Sequence, residues 1–375
     1  MDVSDLYRAL EFSHYAERYR DNVLAVAISL NTPFRDLVLD FKVLATYGIK
    51  VVVCAPDPKF ELEREIALSN THGTNFSLIQ AQEPTSVGSY DLKVNLTQIE
   101  AALALGQMPV VVYHCLTPQT SQVEAAQKLG NYVCTGLNAK KIIFLSQQAQ
   151  MLEDALSKTR VTYDELDNFY DRLHELNMGG FEGSIRFVQS LLEANIPEIA
   201  FLVGKPGVLC QEVFTHEGAG ILFSNIAHSE IRQAELHDIS DITFQIRPQI
   251  ESGRILPVEE NSIAQNLHNF WVYEIDGQIV SVMQLKEYGD WVEIATGSTI
   301  FRDRKYGRAS KLFMHIFKEA KRRGVKGIFG VGINPKLEQK LTPLGFTEVQ
   351  HSELPQAWQD QYDSSRPSRA FAFTL

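Results

Sequence analysis

The residues with the clearest chemical potential form a short basic loop, Arg304-Lys305-Tyr306-Gly307-Arg308-Ala309. It stands between an apolar strand-like run and an amphipathic run, where the backbone N–H groups of a helix start converge at the positive end of its dipole. That arrangement is an anion cradle. Gly307 lets a ligand approach the backbone, Ala309 leaves the helix start unobstructed, and Arg304 and Arg308 add positive charge. A basic turn before a helix is also common as plain structure, so the loop takes its meaning from the elements around it.

Those elements are legible. After Gly307, Ala309, Leu312, Phe313, Ile316, Phe317 and Ala320 recur at helical spacing, Lys321 to Arg323 complement the dipole, and Gly324 stops the helix. The apolar stripe is read as a core face. Upstream, Phe270 to Ile275 and Gln278 to Leu285 flank Asp276-Gly277, a hairpin signal, and a turn at Tyr288-Gly289 leads to a strand over Trp291 to Phe301. Downstream, a strand is predicted over Lys326 to Ile333, then a helix, then a strand opened by Gly345-Phe346. At the start of this half, Ile231-Arg232 begins a strand and a helix follows around Asp238 to Ile246.

The first half alternates differently. Strands are predicted at Asn22 to Leu30, Ile49 to Cys54, Met108 to Tyr113, Lys141 to Leu145 and Glu198 to Val203. Between them lie helices, the first capped by Thr32-Pro33 and the others at Ile99 to Leu105, Val123 to Gly130, Ile185 to Ala194 and Gly207 to Phe214. Strand–helix alternation implies a mostly parallel sheet covered on both faces. The pattern breaks near Ser224 to Ser229, so the chain is α/β in two domains, 1–225 with a mostly parallel sheet and 229–375 with a mixed sheet.

Length agrees, since 375 residues leave room for about two domains. Composition gives a globular chain, 45% hydrophobic and 22% charged, with a formal charge of -11 that opposes a nucleic-acid role. No apolar run suits a membrane span, and the first residues lack a secretory pattern, so the chain reads as cytoplasmic. Cys54, Cys115, Cys134 and Cys210 lie far apart without ligand spacing, which predicts no metal site and no disulfide framework.

The loop and its order of elements resemble the GNAT-type N-acetyltransferases, whose pyrophosphate loop reads Arg/Gln-x-x-Gly-x-Gly/Ala. Further segments resemble the N-acetylglutamate synthase family, in which a GNAT domain follows an amino-acid-kinase-like domain. These are Glu353-Leu354-Pro355 with Tyr362 and Arg366-Pro367-Ser368-Arg369 in the tail, and Glu212 to Gly220 with Ile231-Arg232-Gln233-Ala234 at the boundary. Leu137 to Ser146, Asn177-Met178-Gly179-Gly180, and Leu6 to Leu10 with Tyr15 carry a weaker likeness upstream.

The resemblance implies transfer of acetyl from acetyl-CoA to the α-amino group of L-glutamate, in arginine biosynthesis, without a metal. It places Gly297, Ser298 and Thr299, and the loop from Arg304 through Ser310, along the acetyl-CoA. Glu293 falls where the synthases carry a glutamate, and a carboxylate there suits the proton of the attacking ammonium. Asn334, the polar group at the strand-to-helix corner, is the second catalytic position, placed to bond the cofactor or the acceptor. Arg247, Lys286, Arg366 and Arg369 fall at basic positions suited to a dicarboxylate acceptor, the arginines binding bidentately. The corner Gly332-Ile333-Asn334-Pro335 and the stretch Ile255 to Glu259 depart from the family, which puts the acceptor's identity in question more than the reaction.

The first domain lacks the Lys-x-Gly-Gly strand end of an active kinase. By resemblance it is catalytically silent and serves homo-oligomerisation and arginine feedback, with Tyr15, Glu212, Gly218 and Gly220 as effector positions. Two competing readings remain: an acetyltransferase for a different amino acid or related metabolite, and a non-catalytic regulatory protein that binds an effector.

Overall fold

The computed structural model describes residues 3–29, 32–57, 61–82, 92–114, 119–156, 159–225, 228–258, 260–304, 307–334, 337–363 and 366–375. The chain divides into two compact units, Met1–Ile226 and Ala227–Leu375. Among the described residues no helix is long and apolar enough to cross a membrane.

Among the described residues the first unit is built on eight strands: β1 (Val23–Ile28), β2 (Lys50–Pro56), β3 (Phe76–Gln80), β4 (Met108–Tyr113), β5 (Lys141–Leu145), β6 (Thr159–Thr162), β7 (Glu198–Leu202) and β8 (Ile221–Ser224). They lie in the order β3-β4-β2-β1-β5-β7-β8-β6. Every pairing is parallel except β7 with β8. Near-continuous apolar strands require cover on both faces. One face packs Leu129, Val133, Val188 and Leu191 of the helices Gln119–Gly136 and Glu182–Glu193. The other packs Phe41, Leu44, Leu209 and Phe214 of the helices Val38–Thr46 and Val208–Phe214, with Ala16 and Tyr19 of the helix Val3–Tyr19.

The second unit has seven strands: β9 (Ser229–Gln233), β10 (Phe270–Ile275), β11 (Gln278–Tyr288), β12 (Trp291–Thr299), β13 (Gly327–Gly332), β14 (Thr347–Val349) and β15 (Arg369–Thr374). Their order is β14-β15-β13-β12-β11-β10-β9, and β12 with β13 is the one parallel pair among them. Asp276 and Gly277 turn the β10–β11 hairpin with positive φ at both residues (48° and 77°), the geometry that the dipeptide favours. The helix Arg308–Arg322 buries Leu312, Ile316, Phe317 and Ala320, while Ala309 and Phe313 are half-buried.

Several boundaries differ from expectation for local reasons. Thr32 does not cap a helix: its Oγ1 lies 3.4 Å from Ser29 Oγ, and Pro33 instead precedes a 3-10 turn, Phe34–Leu37, that leads into Val38–Thr46. The helix expected to end at Ile246 continues to Glu251 with Pro248 inside its last turn, where the missing N–H costs one i→i−4 bond. The helix expected at Val123 to Gly130 extends to Gln119–Gly136. β12 ends at Thr299, not Phe301: Ile300 still gives its N–H to Val280 O (3.0 Å), and Phe301–Asp303 then coils into a 3-10 turn.

Candidate active site

The site grows from the way β12 leaves its neighbours. It pairs with β13 at Trp291↔Gly327, Val292↔Ile328 and Glu293↔Phe329, and no further ladder pair follows. On its other side β12 continues against β11, with a register shift between Val282 and Gln284. At that irregularity Thr296 has a positive φ of 50° and gives its hydroxyl to Gln284 Oε1 (3.0 Å), while Gly297 is exposed. A bulge of this kind bends the strand and re-aims its backbone.

Glu293 stands at the last shared rung. It is 7% exposed and directly opposite Lys286 of β11. Tyr288 donates its hydroxyl to Glu293 Oε2 (3.4 Å), and the Trp358 side chain hydrogen-bonds the same carboxyl. Burial pushes the Glu293 pKa above the ordinary glutamate value, against the opposing pull of the Lys286 ammonium and the bonds from Trp358 and Tyr288. Burial and the adjacent Glu293 also push the Tyr288 phenol up. Trp358 stacks on Tyr362 at 4.3 Å and meets Phe329 edge-on at 5.8 Å, so the carboxyl is set in an aromatic wall. A buried carboxyl whose proton affinity is raised by burial, beside a cation that favours its ionised form, has the properties of a general base.

The side chains of Ser298 and Thr299 turn away from any ligand: Ser298 Oγ donates to Gln245 O (3.1 Å) and Thr299 Oγ1 meets Ser281 Oγ (2.8 Å). What they can offer is backbone. Beyond the strand, Arg304 Nε clips back onto Thr299 O (2.9 Å) with its guanidinium 5.2 Å from the Phe301 ring. Gly307, at φ 72°, precedes the first residue of the helix Arg308–Arg322, and a side chain added there would meet nothing within 4 Å. Backbone N–H groups at such a helix start face open space, as an anion site requires. Lys305 and Tyr306 lie outside the described residues.

The expectation that Arg308 adds charge to the loop is corrected. Its side chain is buried, with Nε 3.7 Å from Asp303 Oδ1, and Asp303 is itself fully buried. Arg308 therefore braces the loop from within. Ala309 is half-buried and Ser310 exposed at the helix start.

The cations expected around the acceptor do not converge as a set. Arg247 Nε bonds Glu251 on its own helix (2.9 Å). Arg366 donates to the carbonyls of Gly253 (3.0 Å) and Arg254 (2.7 Å) just beyond that helix. Arg369 forks onto Glu348 (2.6 Å to each oxygen) and reaches Glu338 (3.0 Å). Lys286 alone of the four faces Glu293. Asn334 is exposed two residues past β13, with Arg369 paired to Gly332 nearby. Sequence reasoning missed Tyr288 and Trp358. Tyr288 had a signal, lying one tight turn before Glu293, but Trp358 lies far along the chain and had none.

In the first unit the N-terminal helix packs on the segment proposed for an effector, with Phe12 and Phe214 stacked at 5.1 Å. Tyr15 is buried, meeting His14 edge-on at 5.0 Å. Glu212 is bonded at both oxygens, by Lys141 Nζ (2.6 Å) and by the Ala219 N–H (2.7 Å). Lys141 also holds Glu198 (3.0 Å), which accepts from Arg18 (2.9 Å) and Tyr19 (3.0 Å). A guanidinium ligand at Glu212 would have to take the place of the Lys141 ammonium. Gly218 and Gly220 adopt positive φ of 58° and 55° in the turn that brings Ala219 to that carboxylate.

These features define a mixed α/β unit with a splayed parallel strand pair and a glycine loop before a helix, preceded by a mostly parallel α/β unit. The fold is similar to that of an N-acetylglutamate synthase. The crystal structure of the Neisseria gonorrhoeae enzyme complexed with coenzyme A and L-arginine matches with a TM-score of 0.52 at 19% identity, covering 99% of both chains. In sequence the chain is similar to amino-acid acetyltransferases. The protein of that name from Neisseria meningitidis serogroup B is 26% identical over 257 residues, 67% of this chain and 57% of that relative. The one from Vibrio cholerae serotype O1 is 27% identical over 198 residues, 51% and 44% respectively. The match thus spans about half the length of these relatives. No family model matches the chain.

Proposed function

We propose that this protein is an N-acetyltransferase that moves the acetyl group of acetyl-CoA to the α-amino group of L-glutamate. The observation that carries this reading is Glu293, a buried, pKa-raised carboxyl at the rung where β12 parts from β13, on the strand that feeds the glycine loop. The thioester supplies the acetyl group and a thiol leaving group. Glu293 takes a proton from the α-ammonium, and the neutral amine then attacks the thioester carbon. The exposed backbone at Gly297, with the main chain of Ser298 and Thr299, lies along the acetyl and pantetheine part. Arg304, Gly307, Ala309 and Ser310 receive the pyrophosphate, and Arg308 holds the loop through Asp303. Lys286 and Asn334 are assigned to acceptor binding and its orientation, with Arg247, Arg366 and Arg369 as its outer cations.

The second domain, 229–375, does the chemistry. The first, 1–225, is assigned to oligomerisation and to L-arginine feedback through Tyr15, Glu212, Gly218 and Gly220, in a cytoplasmic enzyme. The similarity to proteins named amino-acid acetyltransferase supports this reading. One observation favours a second reading, an amino-acid acceptor without a side-chain carboxylate: Arg247, Arg366 and Arg369 are all bonded within the protein.

The test is thiol release from acetyl-CoA with L-glutamate and with a panel of neutral and basic amino acids. Release with L-glutamate alone supports the first reading, and release with a neutral amino acid supports the second. No release with any amine, while acetyl-CoA binds, overturns both and leaves a non-catalytic effector-binding protein.

A further inference from the structure

The first unit holds a cavity that none of these roles uses. Its floor is one row across three neighbouring parallel strands: Ala27 of β1 pairs with Phe144 of β5, which pairs with Phe201 of β7. These side chains face the helices Gln119–Gly136 and Glu182–Glu193 within one apolar cluster. Gly130 lets the first helix come close to the floor, where an added Cβ would lie 3.4 Å from that of Ala27. One turn earlier, at Ala126 and Gln127, the gap opens between sheet and helix, because alanine fills so little of it. A crevice open to solvent results.

Its place is informative. β1 leads into the helix Val38–Thr46 on one face, whereas β5, on the other side of β1, leads into the helix Ala149–Leu156, whose Leu152 and Leu156 pack on the opposite face. The loops leaving the carboxyl ends of β1 and β5 therefore diverge. Open α/β sheets take their ligands in the crevice at such a switch point. The Lys141–Glu198–Glu212 cluster lies at the other ends of these strands, since Lys141 and Glu198 are the first residues of β5 and β7.

The lining sets the class of ligand. Ser29, Gln127, Ser146, Gln148 and Ser184 supply hydroxyls and carboxamides, and no charged side chain is among the described lining residues. Gln127 and Ser184 meet at 3.5 Å from two different helices, a polar pair that a ligand group can replace. A phosphate or carboxylate in this space would be taken from water without a counter-charge, which is costly. A flat apolar body instead finds Phe144 and Phe201, edge-to-face at 5.3 Å and 85°, the ring geometry that accepts another ring.

We propose that this crevice binds an uncharged small molecule with an aromatic body and one or two hydrogen-bonding groups directed at the serine and glutamine rim. The site is independent of the acetyl-transfer reading and gives the first unit a ligand of its own.

Indole, neutral and flat with one N–H donor, is the probe, with ATP as the charged control, both titrated into the full chain by calorimetry and thermal denaturation. Saturable one-to-one binding of indole that raises Tm, with no displacement by ATP, is expected. Ser184→Trp places a ring at the mouth and should weaken indole binding by at least about tenfold. Gln148→Trp, at an exposed rim position where folding is not at stake, should do the same. Absence of saturable indole binding, equal binding in a folded rim variant, or displacement of indole by ATP would overturn the proposal.

Discussion

Lys286 and Glu293 stand directly opposite each other on β11 and β12, at the rung beyond which β12 no longer pairs with β13. Burial raises the proton affinity of Glu293 and the neighbouring ammonium restrains it. The pair thus keeps a buried carboxyl ionisable, as the proposed base must be.

Replacing Glu293 with Gln preserves shape and removes the base. Acetyl transfer should fall by roughly 10²–10⁴-fold, with acetyl-CoA binding unchanged by calorimetry. Because the folded-state pKa lies above the ordinary glutamate value, the wild-type rate should decline as pH falls through a limb displaced upward from that value. In Lys286→Met the restraint is lost and the limb should move higher still. A wild-type rate with no acidic limb, or a Glu293→Gln enzyme with the wild-type profile, removes Glu293 from the mechanism.

The His216–Glu11 contact ties the N-terminal helix to the segment after Val208–Phe214, with Nδ1 to Oε1 at 2.6 Å. Burial disfavours the charged ring, yet the hydrogen bonds to Glu11 and Glu217 outweigh it and raise the pKa from 6.5 to about 9. A raised folded-state pKa contributes stability that is fully present below the unfolded value and is lost as pH rises through the folded one. Stability should therefore fall between about pH 6.5 and 9 by about 3 kcal/mol. Urea melts across that window check it, and His216→Gln should flatten the dependence.

Lys141 is almost wholly buried between two carboxylates, Glu198 and Glu212. Removing the cation leaves both without it, so Lys141→Met should destabilise the first unit by about 3–5 kcal/mol. The double variant Lys141→Met with Glu212→Gln should recover part of that loss, because one of the stranded charges is gone. Chemical denaturation of the three proteins measures both effects.

How much of this could be read in advance depended on distance along the chain. The β10–β11 turn, β4, β5 and the helix after Gly307 were legible because each is specified by adjacent residues: a two-residue turn, an apolar run, a helical stripe. The glycine loop was legible for the same reason. Long-range pairing was not. Arg308 sits in a basic loop by sequence and is buried against Asp303 in space, and Arg366 and Arg369 are matched by carbonyls and carboxylates from other elements. Trp358 reaches Glu293 only because β15 and β13 carry the tail back across the sheet. The short strands β3 and β6 offer too few residues to separate them from loops.

Two glycines with nearly the same backbone should respond very differently to alanine. Gly220 has φ 55°, and an added Cβ would lie 2.3 Å from Phe201 O, a backbone atom of β7 that cannot yield without disturbing the sheet. Gly307 has φ 72° and open space around it. In Gly307→Ala the cost is the left-handed conformation alone, about 1 kcal/mol, and the new methyl stands in front of the helix start, so acetyl-CoA affinity should drop while the fold survives. In Gly220→Ala the strain and the collision act together, and the first unit should lose more than about 3 kcal/mol. Denaturant melts paired with acetyl-CoA titrations separate the two. A Gly220→Ala protein as stable as Gly307→Ala would mean that the turn holding Ala219 against Glu212 has slack that its contacts do not reveal, and unchanged cofactor affinity in Gly307→Ala would remove that helix start from the binding loop.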